Sequence, residues 1–456
     1  MKERLHDALR GARAGYAELR FRRVWSTSVL VRGRAVDTAT TSDESGGIAR
    51  CCSPGLGWGA VGFSDPDHLD LSLLRAHELS LAGGSRRPVT LAPIPVRALD
   101  LAAAPADDPR EVPLVQKRQR AEALAVALLD TDRRIAEAEL LCRDRMVETW
   151  LATSEGTWLH DLHAEVSVAL LAVAEEAGNV ERALGSLAVR GGWRAVDAAG
   201  MVGETGARAL ELLHATPVRP GRYTVVLDPA AAGALMHRAV AHLARPALPG
   251  ADPGPLPIGA RLGPECLTLG DDPSAEGLRA SAPGDDEGTT PRRSLIVQNG
   301  VVVGHLHTRE TAGAAGAGQA PTGHARAATL RGTPYPRTTN TYLAQGKGSL
   351  DDLLHDIPLG IYVADVLSCE LAGDSVSLGA GMARMIRNGN LAEPVKGVRI
   401  DAGLLSLLGR VDAVAGDFTW DTRCTYCRDG SAGVVPITTG APHLRLVDLA
   451  IGEGIA

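Results

Sequence analysis

A chain of 456 residues is long enough for two or three hydrophobic cores, and its 45% hydrophobic and 22% charged content excludes a disordered or fibrous protein. A net charge of −7 gives no electrostatic footprint for nucleic acid, and no apolar run approaches the ~20 residues that cross a bilayer. Met1 to His6 lacks the apolar core of a secretory signal, and the seven cysteines are an odd, scattered set, so a cytoplasmic, reducing location is expected.

Residues 1–15 read as an amphipathic helix. Tyr16 to Val24 alternates, with Ala17, Leu19 and Phe21 on one face and Glu18, Arg20 and Arg22 on the other, as in a half-buried strand. Arg20, Arg22 and Arg23 read as a solvated basic face. Ser28–Val31 and Ala35–Thr38 flank the turn Arg32-Gly33-Arg34. Gly55 to Phe63 is a Gly-rich strand. A helix over 67–82 begins at Asp65-Pro66-Asp67 and ends at Gly83-Gly84. Gln116 to Glu139 reads as a second long helix. Met146–Ala152 and Trp158–Leu171 are strands around Ser154-Glu155-Gly156. A helix from Gly203 to Ala215 closes a first unit, 1–215, of mixed α and β with hairpins.

The second unit, 216–456, opens with the strand Tyr223–Leu227 and a helix over Pro229–Leu243. Residues 245–290 are rich in Pro and Gly and read as a linker or functional loop. Ser294–Val297, Asn299-Gly300 and Val301–His305 form another hairpin, and Thr311–Gly323 reads as a mobile Ala/Gly segment. From Gly360 onward short strands and turns follow, among them Asp374–Leu378, Arg387-Asn388-Gly389 and Val395–Ile400. The fold class expected is α+β, with the second unit β-rich.

The most informative stretch is His237-Arg238-Ala239-Val240-Ala241-His242. Imidazole is the commonest protein ligand for zinc. Five residues on an ideal helix turn about 500°, which leaves the two rings ~140° apart. A local widening such as a π-bulge would bring them together. Zinc would need at least one more ligand. Cys424-Thr425-Tyr426-Cys427 offers candidates, although taken alone it also fits a redox pair or half of a zinc ribbon. In helical zinc peptidases the residue after the first His is a Glu, the general base. Here it is Arg238, which cannot accept a proton.

After this helix come Asp285-Asp286-Glu287-Gly288-Thr289, Asn299-Gly300, Pro321-Thr322-Gly323, Pro336-Arg337-Thr338-Thr339-Asn340-Thr341-Tyr342, Gly360-Ile361-Tyr362, Pro394-Val395-Lys396-Gly397 and Cys427. The ordered set resembles the TldD/PmbA family over essentially the whole chain. The departure is Arg238, which stands at the Glu of the family's H-E-x-x-x-H.

The resemblance implies a metallopeptidase-like second unit with one Zn²⁺ held by His237, His242 and Cys427, leaving an open position as in catalytic sites. It implies processing of unfolded or ribosomally made peptides within a dimer, with itself or a second family member; the charge and the apolar runs suggest no nucleic-acid or membrane partner. Loss of the Glu favours a supporting subunit that binds peptide for an active partner, or a non-hydrolytic metal-dependent modification, whereas retained His and Cys favour a working site. Asp285, Asp286 and Glu287 are candidate replacement bases or simply an acidic turn. Arg337, Asn340 and Tyr342 are candidates to hold an extended peptide by strand addition, or else a turn and edge strand. His305, His307 and His324 read as surface or loop residues.

Overall fold

The computed structural model describes residues 1–82, 89–103, 105, 107–196, 198–246, 256–316, 318–428 and 433–453, with the backbone alone for His242, Cys424 and Glu453. The expected Gly83-Gly84 stop lies outside the described residues. The architecture is α+β, built on three main sheets.

Residues 16–190 form the first. Its strands are β1 (Tyr16–Arg32), β2 (Ala35–Ser53), β3 (Gly57–Phe63), β4 (Ala98–Leu101), β5 (Ile135–Thr153), β6 (Trp158–Glu176) and β7 (Asn179–Arg190), in the order β3-β2-β1-β5-β6-β4 with β7 also on β6. Helices α1 (Lys2–Arg10) and α2 (Leu69–Ala82) cover one end, around Leu5, Leu19, Phe21 and Leu73. Helices α3 (Leu114–Leu129) and α4 (Ala198–Leu213) cover the other, around Val29, Leu128, Leu140 and Leu170. Full burial of each such Leu contributes about 2 kcal/mol.

Several expected bounds move. The helix expected over 116–139 stops at Leu129. Asp130 ends it, the Thr131 hydroxyl donates to the Leu128 carbonyl at 2.6 Å, and Asp132 accepts from the Arg134 N–H at 2.9 Å. Ile135 to Glu139 then pair with β6, joined by β1 at Glu139, in spite of their helix-favouring composition. The hairpin around Ser154-Glu155-Gly156 is present, but its arms are 19 residues each.

The second half contributes β8 (Thr216–Pro217), β9 (Gly221–Leu227), β10 (Leu269–Asp271), β11 (Ser294–Gln298), β12 (Val301–Val302), β13 (Ala325–Arg326), β14 (Tyr335–Pro336) and β15 (Asn340–Leu343). It continues with β16 (Leu359–Ala372), β17 (Ser375–Arg387), β18 (Asn390–Lys396), β19 (Val398–Gly403), β20 (Val411–Val414), β21 (Thr419–Arg428), β22 (Val434–Ala441) and β23 (Leu444–Glu453). One sheet runs β16-β9-β23-β19-β17-β18-β8, with β20 beside β23; the other runs β12-β11-β10-β15-β22-β21. The strands after Gly360 are longer than expected, 14 and 13 residues for β16 and β17. Asn299 (φ 48°) and Gly300 (φ 77°) form the tight turn between β11 and β12. The start of the expected mobile segment is instead α6 (Arg309–Ala315), capped by Thr308.

Helix α5 (Pro229–Ala239) packs on β9 and β16 of one sheet and on β15, β21 and β22 of the other. A helix covered on both sides must be small and apolar nearly all round. The sequence Pro-Ala-Ala-Ala-Gly-Ala-Leu-Met meets that demand, and Ala231, Ala232, Leu235 and Met236 are buried in the largest core.

Candidate metal centre around His237

Asp228 caps α5, its Oδ1 accepting from the Ala231 N–H at 2.7 Å, and Pro229 fills the first turn, where no N–H is needed. Burial pushes the Asp228 carboxyl up to about 6. At the other end Val240 leaves helical geometry (φ −120°, ψ −51°) and Ala241–Ala244 continue as a tighter 3₁₀ turn. The backbone between His237 and His242 is therefore broken, not widened, which replaces the π-bulge expected from spacing. The His242 side chain lies outside the described residues.

His237 is buried, and its Nδ1 lies 3.0 Å from the Thr341 hydroxyl on β15. Four residues earlier, a Cβ added to Gly233 would lie 3.0 Å from the Thr439 hydroxyl on β22. The missing side chain lets the helix sit close enough for the imidazole to reach β15. Thr341 and Thr439 are register partners. The Thr341 hydroxyl donates to Asp271 Oδ2 at 2.8 Å. Asp271 Oδ1 accepts from the Thr339 N–H at 2.8 Å, from the Thr339 hydroxyl, and from His324 Nε2 at 3.1 Å. Burial would raise the Asp271 carboxyl, but the bonds from His324, Thr339 and Thr341 outweigh it and hold it below the ordinary value.

Arg238, 100° further round the helix, turns to the opposite sheet. Its Nε donates to the Cys369 carbonyl on β16 at 3.1 Å.

Cys427 is fully buried on β21, the outermost strand of its sheet, and packs with Val435, Ile437 and Ala328. It is the register partner of Val435. Val435 and Thr439 have the same parity on β22, so Cys427 and the Thr341 that holds His237 share a face of one sheet. Four residues, roughly 13 Å along β22, separate the two register positions. Among the described residues no three His, Cys, Asp or Glu side chains cluster as a ready ligand set.

The other sequence candidates are structural in their contacts. Asp285 Oδ1 accepts from the Glu287 and Thr289 N–H groups at 3.0 and 2.8 Å, and its Oδ2 accepts from the Ala325 N–H at 3.0 Å. Burial, and then Glu287, raise its carboxyl well above the usual range. Asp286 accepts from Arg22 at 2.6 Å and faces Arg20 at 3.4 Å. Arg20 is 1% exposed, so it is not on the solvated basic face expected from the sequence. Glu287 accepts from the Arg309 N–H at 2.8 Å and faces Arg50 at 3.4 Å. These carboxylates form an acidic turn that ties the second half to the first sheet.

Arg337 Nη2 donates to the Cys427 and Gly433 carbonyls at 3.0 and 3.2 Å. Asn340 donates to the Asp272 carbonyl at 2.7 Å and to Ser281 Oγ at 2.8 Å. The Tyr342 hydroxyl accepts from Arg293 at 2.7 Å. All three residues are buried, and β15 is an interior strand between β10 and β22, so it offers no edge. His307 and His324 lie in loops, as expected, but are buried and not at the surface. Sequence reasoning missed the Thr341–Asp271–His324 group. Its signal was the run of hydroxyls Thr338, Thr339 and Thr341 leading into the strand β15.

The central domain of the PmbA/TldA metallopeptidases matches residues 107–213, and their C-terminal domain matches residues 220–453. A Synechocystis protein named a metalloprotease is 31% identical over 450 residues, which is 98% of this chain and 96% of that protein. A Saccharolobus solfataricus protein named a zinc metalloprotease TldD homolog is 26% identical over 247 residues, 54% of this chain and 55% of that protein. TldE from Thermococcus kodakarensis has the same fold, with a TM-score of 0.75 at 17% identity over 99% of this chain and 100% of that one. The matches define the class, α+β proteins related to metallopeptidases. The chain belongs to that class as a member of the PmbA/TldD family.

Proposed function

We propose that the chain is a zinc-binding peptidase-family subunit that works on extended peptides in a dimer, with itself or a second family member. His237, His242 and Cys427 are the ligand set. The observation that carries the reading is His237, a buried imidazole fixed through Nδ1 on the helix where the family resemblance puts its first ligand. The donor set fits zinc in kind, two imidazoles and a thiol with room for a fourth partner. The ion would polarise a peptide carbonyl. Arg337, Asn340 and Tyr342 serve the peptide by fixing the strands of this sheet, Arg337 on the Cys427 and Gly433 carbonyls, Asn340 on Asp272 and Ser281, and Tyr342 on Arg293.

The reaching of Arg238 to the Cys369 carbonyl favours a second reading. No carboxylate stands beside His237 on the helix, and a missing general base is worth ~10²–10⁴-fold in rate. The subunit then supports an active partner.

Metal analysis of the purified chain tests the first reading. One equivalent of zinc is expected, and His237→Ala is expected to lose it; absence of metal from the unaltered protein would leave the supporting role. Arg238→Glu is expected to gain cleavage of a flexible peptide while zinc stays bound. No gain with zinc retained would show that more than the base is missing.

A further inference from the structure

We propose that Thr341 and Asp271 are positioning residues that fix His237 in the tautomer carrying its proton on Nδ1, so that Nε2 keeps the lone pair. The argument is a count of protons. Asp271 is fully buried, and four donors converge on its two oxygens: the Thr339 N–H, the Thr339 hydroxyl and His324 Nε2 on Oδ1, and the Thr341 hydroxyl on Oδ2. All four contacts come from donors and together hold the carboxyl below its ordinary value, so it stays ionised and has no proton to give to Thr341. The single hydroxyl proton of Thr341 is therefore committed to Asp271. Thr341 Oγ1 also lies 3.0 Å from His237 Nδ1. With its proton already given, the oxygen can only accept there, so the proton of that contact sits on the imidazole. A tautomer set by the bond at the other ring nitrogen is the usual way in which ligating histidines are oriented.

Only a hydroxyl can play this part, because the group must accept from the ring and donate to the carboxylate at one atom. Valine has the shape of threonine without either capacity. Serine keeps both. The arrangement also gives the buried carboxylate under the helix a role: it orders the hydroxyl that orders the ring.

The test uses the full-length protein, metal-free and labelled with ¹⁵N-histidine. Long-range ¹H–¹⁵N spectra report which ring nitrogen is protonated, and the resonances of His237 are those absent in His237→Ala. The Nδ1–H form is expected in the unaltered protein and in Thr341→Ser, and its loss in Thr341→Val. An Nε2–H form in the unaltered protein, or an unchanged ring in Thr341→Val, would overturn the proposal. This arm needs neither zinc nor activity, and if Thr341→Val does not fold, an Nε2–H ring in the unaltered protein or in Thr341→Ser still overturns the proposal.

A second arm rests on the reading of His237 as a zinc ligand. Competition with a chelator is expected to show zinc held about 10–100-fold more weakly by Thr341→Val than by Thr341→Ser. Equal affinity in the two variants would refute the positioning role. Zinc retained in full by His237→Ala would instead refute the ligand reading, and the tautomer result would then stand by itself.

Discussion

Two consecutive residues, His237 and Arg238, show how a helix between two sheets sorts its side chains. The imidazole goes to β15 and the guanidinium to β16, so the charge of Arg238 is spent on a backbone carbonyl of the other sheet. The residue that starts this helix is also under tension. Asp228 must be buried to cap α5, and burial raises its carboxyl to about 6 against an ordinary value of 3.8. A carboxyl raised in the folded state binds its proton more tightly there than in the unfolded chain. Stability is therefore lost as pH rises from about 4 to about 6 and is level above that, with up to about 3 kcal/mol at stake. Asp228→Asn keeps an oxygen for the Ala231 N–H and has no charge to bury. Melting of the two proteins is expected to diverge with pH, the variant gaining at about pH 7.5 relative to about pH 4.5. A gap independent of pH would show that Asp228 does not titrate in this window.

At the scale of elements, the placing of His237 depends on how near α5 lies to β22. Gly233 is the contact, with the Thr439 hydroxyl and Cβ at 3.0 and 3.1 Å from where a Cβ would stand. Alanine gains helix propensity against a tight fit, so its sign is open to how far Thr439 yields. Valine adds two further carbons with nowhere to go. Gly233→Val is expected to cost about 1–3 kcal/mol and to separate His237 from Thr341. Denaturant unfolding measures the first effect, and a midpoint equal to that of the unaltered protein would mean that the helix can lift off β22 freely.

The same packing explains which elements could be read from the sequence. A helix from Pro229 was readable from its small apolar residues, although it ends at Ala239 and not at the expected Leu243, and the 299–300 turn was readable from Asn-Gly. The end of the first long strands was not. Thr38 to Glu44 of β2 is mostly exposed, so no alternation marks it, and pairing with β1 alone holds it extended. The stretch 135–139 has helix formers in a strand because β6 pairs along it and β1 joins at Glu139. The site was half visible. His237 stood out by type and spacing, whereas Thr341 lies 104 residues from it and Asp271 lies 70 from Thr341. Only folding brings them under the helix.

At the scale of the whole molecule, the acidic turn at 285–287 joins the two halves of the chain. Asp286 meets Arg20 and Arg22 of β1, and Glu287 meets Arg50 of β2, which also binds Glu18 at 2.6 Å. Arg20 is the critical member, since burial lowers its guanidinium to about 10 and the nearby Asp286 charge opposes that. Its other partner is the Gly332 carbonyl at 2.6 Å, which carries no formal charge. Asp286→Ala would strand a buried cation between the halves and also remove the acceptor of the Ala327 N–H, at 2.8 Å. Loss of one partner of a buried pair costs about 3–5 kcal/mol, whereas replacing both by apolar groups of similar size is often nearly neutral. Urea titration is therefore expected to show a large destabilisation in Asp286→Ala and a smaller one in Asp286→Leu combined with Arg20→Met. If the single variant unfolds within about 1 kcal/mol of the unaltered protein, a value typical of exposed pairs, the halves are held by their apolar contacts and the ion pairs only set their register.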